Sequence, residues 1–427
     1  MGIMKNIILL LKKLKRSIFC FYSLYYFNTV NRSHEREMSE ELYKIVNEQL
    51  KMKDTDYERC IVENLTKYFG LYEYMRILAV FIIKRYKEEL ISEMEYENYL
   101  VGIRAIDTQV LSTEKWKLLS FISSAFSLFQ IGYAFRKKAI ESVFIIIGIK
   151  KTTDYLFNEA FNASMDINKY EKVRMLLKLC SNNRIKKHLL YFNMMTVNKV
   201  NSRKIRRFSR EDTEFANYIR GKNVAIIGPA LSEVNHGDEI DTFDVVIRLN
   251  YRGSDKLPDK IKVGKKTNVS YYNNLTIRNL NVNEKEIIYN DLNYWVVPQK
   301  SVAHENDFDI INRKGRERHI LLFYFMGYPN LIQHILLDIL IFDPKRIKIF
   351  DVNFFMANMQ HQDNYVIKKL SKQEFVYSSA VHDLISQINF IRQLWQNRQC
   401  EVDETCENIL RLSNEEYLKN MEEIYTS

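Results

Sequence analysis

All five prolines of this 427-residue chain, Pro229, Pro258, Pro298, Pro329 and Pro344, lie beyond residue 228, and glycine is sparse before residue 200. Both residues punctuate turns between short elements, so a stretch nearly free of them runs as successive long helices. Residues 1–200 therefore read as an all-α, basic N-terminal domain, residues 201–220 as a linker, and residues 221–427 as a domain of different architecture. The length suits two cores better than one. Residues 158–187 have a helix-turn-helix look, with Ala160, Ala163, Met165, Val173, Leu176, Leu177 and Leu179 as packing positions. Around the linker Lys199, Arg203, Lys204, Arg206, Arg207 and Arg210 form a charge run, whose default meaning is a solvated segment.

In the second half, residues 224–227, 245–249, 269–272, 295–297, 319–325 and 347–350 are β-like apolar runs, and an apolar helix is predicted over 331–342. Strands alternating with helices predict an α/β fold with a mostly parallel sheet covered on both faces. Ligand sites in such sheets lie beyond the carboxyl ends of the strands.

A net charge of +10 favours an acidic partner: nucleic acid, an anionic membrane surface or a phosphorylated substrate. The cysteines, Cys20, Cys60, Cys180, Cys400 and Cys406, are odd in number and form no zinc-type cluster, which fits a reducing compartment. Residues 7–11 and 18–27 are apolar and flank Lys12, Lys13, Lys15 and Arg16. Neither run is long enough to span a bilayer, so the segment is expected to lie on an anionic membrane surface or to pack as a first helix. Residues 118–135 are uncharged and precede Arg136, Lys137 and Lys138. Their four serines and Gln130 favour a buried helix over a membrane span.

The most informative stretch is residues 223–267. A buried-strand signal ends at Gly228, where a missing side chain lets backbone approach a ligand; the GxGxxG and GK[ST] phosphate patterns are absent. Gly237, Ile240-Asp241, Asp244-Val245-Val246, Arg248-Leu249-Asn250, Gly264 and Thr267 follow in order. This series resembles the large motif of the sialyltransferases. The resemblance implies a Rossmann-like sheet of the GT-A-like variant of that family, with Gly228, Pro229, Ala230 and Asn250 holding the CMP part of the donor. Asn250 offers both a donor and an acceptor, and Arg248 can offset donor charge. The alternative is an internal Arg248–Asp244 pair with Asn250 capping a turn.

Residues 328–355 look like the family's small-motif helix and strand. Asn353-Phe354-Phe355 stands where bacterial members end this strand in a G-x-D-F-Y-like run, and Tyr365 is the candidate for the following tyrosine that contacts the leaving phosphate. Phe355 has no hydroxyl at that place. His361 is an alternative phosphate contact, since an imidazolium neutralises departing CMP. In residues 378–395, His382-Asp383 heads an amphipathic helix with Ile385, Ile388, Ile391, Leu394 and Trp395 on its apolar face. A histidine before a C-terminal helix is the catalytic base in the family it resembles, and an acceptor hydroxyl attacking an anomeric carbon needs such a base. Asp383 either orients that imidazole or caps the helix. The alternative for His382 is a capping or core histidine.

Asp307-Phe308-Asp309 fits the D-x-D pair that holds a divalent ion on sugar diphosphates. CMP-sugars carry one phosphate, and the sialyltransferases need no essential metal, so the pair is read as a solvated loop with no metal or cofactor expected. The implied activity is inverting transfer of sialic acid from CMP-sialic acid to a hydroxyl of a surface oligosaccharide or glycolipid. CMP-Kdo is the alternative donor. No nucleic-acid partner is expected, and the protein is placed in the cytoplasm, peripheral to the inner face of the membrane. The rival from another class is a non-catalytic basic protein that binds membrane or nucleic acid.

Overall fold

The computed structural model describes residues 36–52, 56–149, 154–179, 186–196, 209–231, 233–298, 315–318, 324–357 and 371–426. Helices fill the first part: α1 (residues 36–51), α2 (Tyr57–Phe69), α3 (Tyr72–Tyr86), α4 (Glu93–Ala105), α5 (Thr113–Ala125), α6 (Phe129–Ile149), α7 (Asp154–Asp166), α8 (Tyr170–Leu179) and α9 (Lys186–Met195). The expected helix-turn-helix is α7 and α8, with Ala160, Ala163, Met165, Val173 and Leu176 buried. The uncharged run 118–135 is broken at Ser127, whose φ is 58°, so it forms parts of α5 and α6. Among the described residues no helix is long and apolar enough to cross a membrane. The basic segment 7–27 lies outside the described residues.

Residues 210–219 of the expected linker form a helix, α10 (Arg210–Ile219), started by a Ser209/Asp212 capping box. Its buried face, Phe215, Ala216 and Ile219, packs into the core. Then follow β1 (Asn223–Ile227), α11 (Gly237–Asp241), β2 (Val245–Leu249), α12 (Lys260–Val263), β3 (Val269–Tyr271), α13 (Asn274–Asn279), α14 (Val282–Asp291), β4 (Tyr294–Pro298), β5 (Gly315–Arg318), α15 (Leu331–Ile339) and β6 (Arg346–Phe350). The chain closes with α16 (Lys372–Val381), α17 (Leu384–Gln396), β7 (Glu401–Val402), α18 (Glu404–Arg411) and α19 (Asn414–Thr426).

The described strands form one seven-stranded, all-parallel sheet in the order β5-β4-β3-β2-β1-β6-β7. Strands β2 and β3 are buried along their whole length, as expected for a parallel sheet covered on both faces. Starting from β1, the chain builds outward to β5 and then returns to place β6 on the other side of β1. This Rossmann-like order reverses between β1 and β6, the position where such sheets open a crevice at their carboxyl ends.

Of the strand expected over 319–325, residues 319–323 lie outside the described residues. Among the described residues the strand here is β5, residues 315–318, which the sequence pattern did not predict, and Tyr324 and Phe325 are not part of a strand. Its sequence, GRER, has no apolar signal because its buried positions are arginines. Arg316 is bound by Asp212 of α10 and Asp338 of α15, so ion pairing replaces hydrophobicity at this edge.

One apolar cluster runs from Leu42 in α1 through Ile226 in β1 to Tyr425 in α19. Helix α16 packs on α5, and α19 on α6. Glu422 of α19 receives the Tyr96 hydroxyl from α4 and the Gln130 backbone amide from α6. The helical layer thereby meets the C-terminal helices that carry His382.

Candidate functional site

The carboxyl end of β1 meets that of β6 at Gly228. Its amide donates to the Phe350 carbonyl at 2.7 Å, and the Ala230 amide donates to that of Asp351 at 3.0 Å. A Cβ on Gly228 would stand 2.2 Å from the Asp351 carbonyl oxygen. The glycine therefore admits the neighbouring backbone, where ligand approach was expected. Ala230 is buried and Pro229 partly buried beside it.

Beyond β6 the chain is held in unusual conformations. Asp351, Phe354 and Phe355 all have positive φ, at 57°, 47° and 67°. Such values disfavour residues with a Cβ and recur at functional loops. Tyr417 and Tyr425 enforce them from α19, donating to the Phe354 and Phe355 carbonyls at 2.6 and 2.8 Å. Asn353 is partly buried and accepts from the Phe355 amide at 3.2 Å. Its Nδ2 makes no hydrogen bond among the described residues.

At the end of β2, Asn250 is buried in the left-handed region with φ 52°. Its amide donates to the Tyr271 carbonyl and its Oδ1 accepts from the Asn273 amide at 3.2 Å. Its Nδ2 likewise has no partner among the described residues.

Arg248 is not paired with Asp244. It is buried, with Nε donating to Thr267 Oγ1 at 3.0 Å and Nη2 to the Val263 and Gly264 carbonyls at 2.5 and 3.1 Å. Asp244 instead accepts from the Asn223 amide. Burial lowers the Arg248 pKa to about 10, which leaves it charged at neutral pH. Asp241 accepts from the Lys265 and Lys266 amides, and Gly264, at φ 73°, faces Asp241. The motif residues Asp241, Arg248, Gly264 and Thr267 thus staple the loop before β3 to the end of β2.

His382 caps α16, and Asp383, in the left-handed region with φ 50°, turns the chain into α17. His382 Nδ1 lies 3.0 Å from the Tyr328 carbonyl, so Nδ1 carries the proton and Nε2 keeps its lone pair. Gln387 Nε2 donates to the same carbonyl at 3.0 Å and to the His382 carbonyl at 2.5 Å, while its Oε1 accepts from the Asn330 amide at 3.0 Å. Gly327, at φ 62°, packs so closely on Asp383 that a Cβ would stand 2.8 Å away. Burial lowers the pKa of His382, the Tyr328 hydrogen bond opposes this, and the charge of Arg36 lowers it further. The imidazole is therefore neutral at physiological pH and able to take a proton.

Asp383 neither orients that imidazole nor caps α17 through its side chain. Its carboxylate accepts from Arg136 of α6 at 2.9 Å and from Ser386 at 2.7 Å. Arg136 also binds Asp166 of α7. Asp383 therefore fastens the His382 turn to the helical layer, and the Tyr328 carbonyl orients the ring.

Two parts of the carboxyl rim are joined by α16. Phe375 in its first turns packs edge-on against Phe355 at 5.3 Å, and His382 caps its far end. At a helix rise of about 1.5 Å per residue, the intervening seven residues separate them by roughly 10 Å. Val381, the residue before His382, and Tyr328, whose carbonyl holds the imidazole, line a cleft together with Arg36, Glu114, Lys117 and Phe325, so the N-terminal helices supply one of its walls. Tyr365, His361, Asp307 and Asp309 lie outside the described residues.

Several residues had no sequence signal. His236, Asp351 and Asp403 bring possible metal-ligand atoms within 4.8 Å of one another at the ends of β6 and β7. Asp403 meanwhile accepts from the Asp351 and Cys406 amides, so it also holds the chain there. Gln387 looked like one polar residue of an amphipathic helix, and its partners come from a loop over fifty residues earlier. Set beside models of known families and curated protein sequences, the chain matches none.

Proposed function

We propose that this chain is an inverting glycosyltransferase that moves an acidic keto-sugar from a CMP-activated donor to a hydroxyl acceptor. The observation that carries this reading is His382: a neutral imidazole with Nδ1 fixed on a backbone carbonyl and Nε2 left basic, beside a cleft on the carboxyl rim of a parallel sheet. The acceptor hydroxyl oxygen forms the new bond to the anomeric carbon as the bond from that carbon to the phosphate oxygen breaks. The hydroxyl proton passes to Nε2 and CMP leaves, with inversion at the carbon.

The Nδ2 groups of Asn250 and Asn353 are offered to the nucleotide part of the donor, near the crevice between β1 and β6. Tyr365 or His361 assists departure of CMP. With one phosphate on the donor the reaction needs no divalent ion, and a chelator is expected to leave the rate unchanged. Sialic acid and Kdo both fit this chemistry, and a surface oligosaccharide or glycolipid is the acceptor class. The basic character of the chain suits work at the anionic inner face of a membrane.

Incubation with CMP-sialic acid and with CMP-Kdo tests the reading. CMP release by the wild type and its loss in His382→Ala are expected. No release with either donor would overturn the proposal, as would an unchanged rate in His382→Ala.

A further inference from the structure

Strand β5 buries two arginines on one face, Arg316 and Arg318, at 2% and 5% exposure. Arg316 is saturated, with both Asp212 and Asp338 on its guanidinium. Arg318 is not: its Nε and Nη1 are buried without a hydrogen-bond partner among the described residues. Asp338, which Arg316 already holds, is the carboxylate whose charge reaches Arg318, so this buried cation is only partly compensated, and a fold retains one chiefly where something else supplies an anion.

The packing of β5 against α15 locates this cation. The two elements run in opposite directions here, with Arg316 joined to Asp338. Moving two residues along the strand, about 6.6 Å, reaches Arg318. Moving one turn back along the helix, about 6 Å, reaches His334. Arg318 and His334 therefore face each other nearer the carboxyl rim. The next residue on α15, Gln333, donates to the Gln387 carbonyl, and Gln387 holds the His382 turn. The electrostatics agree: after burial, the charges of Arg318 and His382 are what depress the His334 pKa. Arg318, His334 and His382 form one neighbourhood.

We propose that Arg318 binds the carboxylate of the sugar being transferred. This rests on the CMP-sugar reading above. In an acidic keto-sugar the carboxylate is attached to the anomeric carbon, the atom attacked by the hydroxyl that His382 deprotonates. It therefore belongs beside the base, whereas the phosphate leads away to the nucleotide. A guanidinium presents two parallel N–H groups to a carboxylate, and Arg318 has Nε and Nη1 unengaged. The subsite selects acidic keto-sugars over neutral sugars carried on the same nucleotide.

The test compares Arg318→Gln and Arg318→Lys with the wild type in equilibrium binding of CMP, CMP-sialic acid and the methyl ester of CMP-sialic acid, together with melting of the ligand-free proteins. The wild type is expected to prefer the acid to its ester by about tenfold or more. Arg318→Gln should lose that preference, keep CMP affinity within about twofold, and melt no lower than the wild type, since it removes a buried charge that is only partly compensated. Arg318→Lys, which keeps the charge without the fork, should retain a reduced preference.

Full preference in Arg318→Gln would overturn the subsite while leaving the donor reading intact. CMP binding that weakens as much as CMP-sialic acid binding would assign Arg318 to the phosphate and overturn the carboxylate role. A wild type that binds neither CMP nor CMP-sialic acid would overturn the donor reading, and the subsite with it.

Discussion

Replacing Gln387 by leucine tests whether His382 is held for chemistry or merely packed. The Gln387 side chain is buried and makes three hydrogen bonds: from the Asn330 amide, to the Tyr328 carbonyl and to the His382 carbonyl. A net hydrogen bond contributes about 0.5–1.5 kcal/mol, so the three together contribute roughly 3 kcal/mol. The Tyr328 carbonyl keeps His382 Nδ1 as a partner, whereas the Asn330 amide loses its Gln387 acceptor. Leucine retains most of the packing volume, which confines the change largely to polar groups. Gln387→Leu should therefore lower stability by roughly 3 kcal/mol in urea denaturation. With CMP-sialic acid it should lower kcat much more than it raises KM, because the proposed base is displaced while the loops at β1, β2 and β6 that are proposed to meet the donor are untouched. Gln387→Glu keeps the acceptor for Asn330 but loses both donations, and should fall between. A Gln387→Leu protein with wild-type stability and wild-type kcat would refute the view that this amide positions the base.

Three further outcomes follow from the same geometry. Burial and the charge of Arg36 hold the His382 pKa below its usual 6.5, so kcat/KM should stay flat above that pH and fall only in more acid solution; Arg36→Ala should move this limb upward, and a limb already present at neutral pH would contradict the assignment. Because the folded pKa lies below the unfolded one, the unfolded state binds more protons in that window, and melting temperature should drop as pH falls through it. Gly228→Ala would drive a Cβ against the Asp351 carbonyl and should cost about 1–3 kcal/mol in denaturation; an unaffected midpoint would mean that the β1–β6 junction yields easily. Arg316→Met leaves Asp212 and Asp338 buried without their shared cation and should destabilise by about 3–5 kcal/mol, and a neutral result would show that these carboxylates are hydrated or protonated instead.

The sequence by itself determined where the apolar elements lie. β1 to β4 and β6, the helix α15 and the amphipathic α17 headed by His382 all stand where the residue pattern puts them, since burial leaves a period that is written locally. Strand β5 over 315–318 was not foreseen because two of its buried positions are arginines, and the fitness of Arg316 for a core depends on carboxylates from α10 and α15. The tertiary structure alone decided what the polar residues do. Arg248 looked free to meet a donor and is bound to a loop, and Gly228 looked like a ligand approach and admits the Asp351 backbone. Asp383 sits beside His382 in sequence yet pairs with Arg136, 247 residues away. An apolar side chain needs only to be out of water, so its neighbours in sequence reveal it. A buried polar group needs a specific partner, and that partner is chosen by the packing of distant elements.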